Sequence, residues 1–140
     1  MKGFCLETCS AALELTPPAK YFAVVEMNVM LANDKTVKNL NKKFRGKNLP
    51  TNVLSFPAQG LNLRNYRKFT SDFVMLGDIA VAYETVKQEA KAQGKKFIDH
   101  LRHLLIHAVL HLVGYDHGKT METLEIKLLK RYGIKNPYII

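Results

Sequence analysis

Apolar and polar positions repeat with two different periods along the chain, which predicts helices and strands in mixed order. Residues 3 to 14 suit a first helix. Pro17 and Pro18 then predict a break, because proline lacks an amide donor and disfavours helical geometry in the residue before it. From Tyr21 to Leu31, apolar and polar residues alternate, which is typical of a half-buried strand. The first third of the chain is therefore predicted to be a helix, a break and a strand.

The middle of the chain predicts a helix, a short strand and a basic loop. Asn33 or Asp34 is a suitable N-cap for a helix that ends at Gly46. Asn52 to Phe56 is a short apolar strand between two prolines, and Ala58 to Ser71 is a polar loop without a clear period. The apolar positions of the helix recur with a helical period and predict its inner face: Val37, Leu40 and Phe44.

The second half of the chain is mainly helical. A strand over Asp78 to Ala82, within Phe73 to Ala82, precedes three predicted helices: Tyr83 to Ala92, Phe97 to Val113 and Met121 to Tyr132. With 140 residues, the chain has the length of about one domain. The order of elements predicts a single α+β domain over residues 1–140, in which helices cover a small mixed sheet.

The distribution of charge points to a polyanionic partner. The chain carries 21 Lys and Arg against 12 Asp and Glu, a net charge of +9. Between Lys35 and Ser71 there is no acidic residue, whereas surfaces that serve only solubility mix both signs. We therefore expect this half of the domain to bind nucleic acid, RNA or DNA. Its basic residues are Lys35, Lys38, Lys42, Lys43, Arg45, Lys47, Arg64, Arg67 and Lys68.

The sequence predicts neither a membrane span nor a signal peptide. Leu104 to Leu112 is interrupted by histidines and is far shorter than the roughly 20 apolar residues that cross a bilayer. The first residues lack the apolar run of a signal peptide. Cys5 and Cys9 lie four apart and are interpreted as packing residues on the first helix. We expect a cytoplasmic protein.

Three histidines have the spacing of a zinc site. His107 and His111 lie one turn apart on a predicted helix, roughly 5 to 6 Å between Cβ atoms, so that both imidazoles can reach one zinc ion. Gly114 allows a positive φ, which turns the chain back and returns His117 as a third ligand. Three protein ligands leave a fourth position open, as in catalytic zinc sites. The alternative for each histidine alone is an ordinary place in the core.

Two neighbours of these histidines are further candidates. His103 lies one turn before His107, where it either supports a ligand or contacts substrate. Asp116 either accepts a hydrogen bond or a proton at the site, or only stabilises the turn. The spacing matches that of the metzincin proteases, but Ala108 stands where they carry the general-base glutamate. A metal site in a positive domain without that base favours phosphodiester hydrolysis.

The motifs resemble the YbeY family of single-domain, metal-dependent endoribonucleases. The resemblance runs from about Tyr21 to Tyr138 and rests on these blocks: Phe44-Arg45-Gly46-Lys47, Pro50 to Pro57, Gly77-Asp78-Ile79 and His107 to His117. It implies that the three histidines of the last block hold one zinc ion per chain. It also implies that Arg45 lines the cleft and takes part in cleavage, where its planar guanidinium can bind a phosphate.

The same resemblance implies a substrate and partners. The family cleaves single-stranded RNA and acts in the maturation of 16S ribosomal RNA at its 3′ end and in ribosome quality control, with the small ribosomal subunit. On this interpretation, the lysines near Arg45 hold the flanking RNA backbone.

Two other functions stay open at this stage. A non-catalytic ribosome-assembly factor with a structural zinc would need a fourth ligand, for which His103 is the nearby candidate. A metalloprotease would need a base from outside the helix, for which Glu122 and Glu125 are the candidates. The sequence does not determine the oligomeric state.

Overall fold

A three-stranded mixed sheet supports the helices of this chain. The computed structural model describes residues 1–45, 51–58, 60–69 and 72–138. Its elements are α1 (Lys2–Glu14), α2 (Pro17–Tyr21), β1 (Val24–Ala32), α3 (Asp34–Arg45), β2 (Val53–Pro57), a 3-10 turn (Tyr66–Lys68), β3 (Phe73–Ala82), α4 (Tyr83–Ala92), α5 (Phe97–Val113) and α6 (Lys119–Arg131). The predicted α+β class, with a small mixed sheet covered by helices, is confirmed.

Strand β3 lies at the centre of the sheet. The strand order is β1-β3-β2, with β1 parallel and β2 antiparallel to β3. Most side chains of β3 are buried, which fits the nearly continuous apolar run expected of a strand covered on both faces. Strand β2 pairs with β3 from Val53 opposite Val81 to Pro57 opposite Gly77. This pairing holds β2 beside α5, against which it packs.

Helix α5 forms the centre of the hydrophobic core. It packs against α1, α4, α6 and both β2 and β3. Side chains such as Leu105, Ile106, Val109 and Leu110 are fully buried. Because α5 is packed on several sides, its rotation about its own axis is fixed, and His103, His107 and His111 lie on a face that the core does not cover completely.

Most predicted elements are confirmed, β2 and α6 with bounds shifted by one or two residues, and the larger differences concern α2, β1 and β3. The predicted bounds of α4 and α5 agree with the structure. The prolines not only break α1 but also begin α2, since the missing amides of Pro17 and Pro18 fall in its first turn. Strand β1 therefore starts only at Val24. Strand β3 begins at Phe73 rather than Asp78, because its pairing with β1 extends that far.

The prediction for the inner face of α3 is wrong at its last position. Val37 is buried under the helix, as expected. Phe44, however, is 59% exposed: its ring meets that of Phe56 edge-on, with 5.5 Å between centroids, and the ammonium of Lys43 lies 5.3 Å from its own centroid. The apolar period of α3 thus extends to Phe44, although the core covers only the earlier positions of this face.

The basic loop contains local order that the sequence pattern does not show. Asn65 accepts a hydrogen bond from the amide of Asn62 (2.8 Å) and donates one to the carbonyl of Gly60 (2.7 Å). Tyr66 is buried, and its hydroxyl donates to the carbonyl of Val113, 2.5 Å away. This loop is therefore attached to the end of α5. No helix of the described chain is long and apolar enough to span a bilayer.

Gly77 is the glycine with the strictest steric requirement. Its φ is +134°, and a Cβ atom there would lie 2.2 Å from the carbonyl oxygen of Phe56. We expect Gly77→Ala to lower the free energy of unfolding by at least about 2 kcal/mol, because neither backbone can move without breaking the ladder. Urea denaturation measures this loss.

The matched control is Gly3→Ala in α1, where a Cβ atom meets nothing within 4 Å. This change should leave stability equal or raise it by about 0.5–1 kcal/mol, since alanine favours a helix over glycine. Equal stabilities of the two variants would contradict the steric argument at Gly77.

Candidate metal centre

The end of α5 turns the chain back toward its own last turns. The amide of Gly114 donates to the carbonyl of His111 (3.0 Å) and the amide of Tyr115 to the carbonyl of Leu110 (3.0 Å). Together these two bonds form the Schellman arrangement that ends many helices. Gly114 has a φ of +123°, which disfavours any residue with a side chain. The predicted role of Gly114 as C-cap is confirmed.

This turn brings three imidazoles together. The ring centroids of His107 and His111 are 4.5 Å apart, and the ring of His117 lies 5.1 Å from the first and 4.4 Å from the second. One ligand atom from each ring lies within 4.8 Å of the others, as a metal site requires. The structure thus places the three predicted zinc ligands in one cluster.

The hydrogen bonds at the far side of two rings determine which nitrogens face the cluster. His111 Nδ1 lies 2.9 Å from the carbonyl oxygen of Tyr115, which can only accept, so this nitrogen carries the proton. His107 Nδ1 contacts the carboxylate of Glu125 and donates in the same way. Both Nε2 atoms then present lone pairs to each other at 3.0 Å. Two lone pairs that face each other repel unless a positively charged ion lies between them. This pair of nitrogens therefore fits a metal cation.

The surroundings of His111 and His103 favour the neutral form of these two side chains. Burial lowers the pKa of His111 below the ordinary value, and neighbouring His107 lowers it further. Burial also lowers the pKa of His103 to about 4. Since a metal binds only the neutral imidazole, a lowered pKa favours ligation at neutral pH.

Glu125 is a functional candidate that sequence reasoning placed in another role. It is completely buried on α6, where its carboxylate accepts hydrogen bonds from His107 and from the hydroxyl of Tyr138. Burial alone raises the pKa of Glu125, but these two hydrogen bonds outweigh burial and lower it. The sequence carries a signal for this residue, namely a glutamate in the apolar stripe of α6 formed by Met121, Glu125, Leu128 and Leu129.

The imidazoles open into a cleft of about 800 Å³ between α5 and β2. Ser55 lies on the β2 side, where its hydroxyl donates to the carbonyl of Ala108 (3.1 Å). Asn52, at the start of this strand, donates to Glu89 on α4 (3.0 Å). His103 and Asp116 also line the cleft, as expected for residues near substrate. The bond of Ser55 thus holds β2 to α5, and the bond of Asn52 holds the start of the same strand to α4.

His103 does not join the three-histidine cluster. Its ring lies edge-on to that of His107, with 6.4 Å between centroids. Its Nε2 atom is buried and has no hydrogen-bond partner within the described part of the chain. The group of potential metal ligands found among the described residues contains only His107, His111 and His117. His103 is thus a wall of the cleft.

The predicted RNA-binding residues lie in two segments beside the cleft. Lys38, Lys42 and Lys43 are exposed on α3, the helix from which Asn41 reaches the cleft wall. The other segment reaches the cleft through Leu61, and its exposed basic residues are Arg64, Arg67 and Lys68. Arg45 is the last residue of α3, but its side chain and the whole of Lys47 lie outside the described residues.

The fold and the site together define a class of small α+β proteins with three converging histidines in an open cleft. Residues 5–133 of the chain match the family model described as Endoribonuclease YbeY. The chain therefore belongs to the YbeY family, as its motifs indicated.

Curated relatives carry the same family name. The Endoribonuclease YbeY of Rhodopseudomonas palustris is 48% identical over 118 residues, which are 81% of this chain and 60% of that protein. The Endoribonuclease YbeY of Sphingopyxis alaskensis is 43% identical over 141 residues, covering 94% of this chain and 84% of the relative. The chain thus spans about 60% of the length of the R. palustris protein.

A solved structure has the same fold. The solution structure of TM1509 from Thermotoga maritima superposes with a TM-score of 0.59 at 28% sequence identity, over 97% of this chain and 92% of that one. The two proteins therefore share the arrangement of helices and sheet at 28% sequence identity.

The three-histidine geometry predicts a stabilising metal. We expect added zinc to raise the melting temperature of the wild-type chain, since a ligand at 100 times its Kd adds about 2.7 kcal/mol to the folded state. His111→Ala should abolish this shift, because one of the converging nitrogens is lost. Differential scanning fluorimetry with and without zinc measures both effects.

His103→Phe provides the control, since phenylalanine keeps an aromatic ring beside His107 and removes both ring nitrogens, of which the buried Nε2 has no partner in the described part of the chain. This variant should retain the zinc-dependent shift. A loss of the shift in His103→Phe would show that His103 is a ligand and that the cluster has four members.

Proposed function

We propose that this chain is a single-domain, metal-dependent endoribonuclease that hydrolyses phosphodiester bonds in single-stranded RNA. The observation that carries the proposal is the convergence of three imidazoles at the surface of an open cleft. Three protein ligands leave a coordination position for substrate, which suits catalysis better than structural metal binding. The family name of the relatives supports RNA as the substrate.

Zinc is the metal we propose, one ion per chain, with His107, His111 and His117 as its ligands. An all-imidazole donor set suits zinc, and a zinc ion held by these residues would polarise a phosphoryl oxygen and lower the pKa of water to about 7. Other residues of the chain prepare the histidines for metal binding. His111 and His107 are held in the tautomer that ligation requires by Tyr115 and Glu125. His103, kept neutral by burial, adds no charge to the cleft.

The basic residues are proposed to position the RNA. Arg45 would bind a phosphate oxygen through its planar guanidinium, close to the scissile bond. Exposed Lys38, Lys42 and Lys43 on α3 would hold the flanking backbone, together with Lys47. On the opposite segment, Arg64, Arg67 and Lys68 would extend this positive track. Asp116 is exposed at the cleft beside His117, where it would accept a proton or orient the attacking group.

We further propose a biological role in the maturation of 16S ribosomal RNA at its 3′ end and in ribosome quality control. The chain would act in the cytoplasm with the small ribosomal subunit. Family membership supports this role, and the positive charge of +9 suits a partner that consists largely of RNA.

The two alternatives are disfavoured by particular contacts. A closed structural zinc site lacks its fourth ligand within the described residues, since His103 stays outside the cluster. The two glutamates considered as a protease base are not placed for that role, because Glu125 directs its carboxylate to His107 Nδ1 and Tyr138, and Glu122 does not line the cleft. The side chain at Ala108, where metzincins carry their base, is buried in the core.

The direct test is cleavage of a labelled single-stranded RNA by protein whose metal content has been measured. We expect wild type to cleave and both His111→Ala and Arg45→Glu to lose at least about 100-fold in rate, since each removes transition-state stabilisation. The same residual cleavage in all three proteins would show contamination. The chain would then be better described as a metal-stabilised RNA-binding factor.

The lysines of α3 predict a salt-dependent affinity. The triple variant Lys38→Glu, Lys42→Glu, Lys43→Glu should weaken binding of single-stranded RNA by at least about tenfold at low salt. It should also reduce the slope of log K against log salt by about 2, since each phosphate contact on a single strand contributes about 0.7. Fluorescence anisotropy over a salt series measures both quantities.

A matched control reverses the same number of charges elsewhere: Lys2, Lys20 and Lys130, none of which lines the cleft. This variant should keep a slope closer to that of wild type. Equal losses in the two triple variants would show that net charge alone, rather than the α3 surface, determines RNA affinity.

A further inference from the structure

We propose that Tyr138 and Glu125 are positioning residues that fix the orientation and tautomer of His107 and thereby strengthen metal binding. Tyr138 lies beyond α6, Glu125 on α6 and His107 on α5, so a continuous chain of hydrogen bonds runs from the C-terminal segment to the metal centre. The inference rests on the proposed metal site and adds two residues to it.

The burial of Glu125 is the first step of the argument. Its carboxylate is completely buried, and no lysine or arginine forms an ion pair with it among the described residues. A buried carboxylate is costly unless its oxygens are hydrogen-bonded. An apolar side chain would fill this place in the stripe of α6 at less cost. The carboxylate at this position therefore indicates a role in hydrogen bonding rather than in packing.

The hydrogen-bond partners of Glu125 indicate what this role is. One oxygen accepts from His107 Nδ1 and the other from the hydroxyl of Tyr138. A carboxylate can only accept, so it selects the tautomer of His107 whose Nε2 lone pair faces His111 and His117. A carboxylate behind a ligating imidazole also raises the basicity of that ligand. His111 receives a weaker version of the same support, from the neutral carbonyl of Tyr115.

Tyr138 is held so that it can orient the carboxylate. Its amide donates to the side chain of Asn136 (2.8 Å), and its ring packs edge-on against that of His103, with 6.1 Å between centroids. The hydroxyl thereby occupies one oxygen of Glu125 and leaves the other for His107. Both Tyr138 and His103 line the cleft, so this support lies at the edge of the substrate space.

The experiment compares Glu125→Gln and Tyr138→Phe with wild type. Both variants keep the shape of the side chain, the first removing the charge and the second only the hydroxyl. We expect zinc affinity, measured by competition with a chromophoric chelator, to fall roughly 10- to 100-fold in Glu125→Gln and by a smaller factor in Tyr138→Phe. Circular dichroism confirms that each variant is folded.

Nuclear magnetic resonance of the metal-free protein provides an independent measurement. Long-range proton–nitrogen correlation spectra distinguish the two neutral tautomers of each histidine. We expect wild-type His107 in the Nδ1–H form, and a mixture of both forms in Glu125→Leu, which removes the acceptor. A structural role alone would not shift this equilibrium.

The matched control is a second tyrosine–glutamate pair. The hydroxyl of Tyr132 donates to Glu7, 2.5 Å away, and neither residue lines the cleft. Tyr132→Phe and Glu7→Gln should leave zinc affinity and the His107 tautomer unchanged.

The outcomes separate this inference from the proposed function. Wild-type zinc affinity in both Glu125→Gln and Tyr138→Phe, with an unchanged His107 tautomer in Glu125→Leu, would overturn the positioning role. Zinc binding that depends on Glu125, in a protein that does not cleave RNA, would support the positioning role and overturn the proposed activity.

Discussion

Burial of α5 is the constraint on which both the fold and the site depend. The helix packs against α1, α4, α6 and the sheet, so its rotation about its own axis is fixed by apolar contacts. One face stays free of the core, and this face carries His103, His107 and His111. Because the rotation is fixed, these imidazoles point into the same cleft. The positive φ of Gly114 then returns His117 to them.

The metal centre combines opposed electrostatic requirements. Its imidazoles must be neutral to bind a metal, and burial lowers the pKa of His111 accordingly. The same burial disfavours the charge of Glu125, yet the structure retains a carboxylate there and satisfies both of its oxygens. A site that stabilised only the fold would avoid this arrangement. The buried charge makes sense because it acts on His107, whose other nitrogen faces the cluster.

The cleft has two walls, which are formed by different elements of the fold. One wall is the polar face of α5, and the other begins at β2, which is held to α5 by the hydroxyl of Ser55 and to α4 by Asn52. Gly77 allows β3 to approach the carbonyl of Phe56 on that strand. Rigid elements thus place the cleft walls, whereas the basic residues proposed to hold RNA lie on α3 and on the segment around the 3-10 turn. In the proposed function, the candidate metal site would act on the scissile phosphate, and the exposed positive border would hold the neighbouring phosphates.

The sequence by itself determined the α+β class, most helices and strands, the family and the three-histidine cluster, because each depends on local periodicity or short-range spacing. The helical turn between His107 and His111 and the freedom of Gly114 are local properties. Tertiary structure decided what depends on packing. It exposed Phe44, buried Tyr66, left His103 outside the cluster and brought Glu125 and Tyr138 to His107. These contacts join α5 with α6 and the segment beyond it. The hydrophobic period of one helix predicts which of its faces is buried, but it does not predict which residues of a neighbouring helix that face contacts.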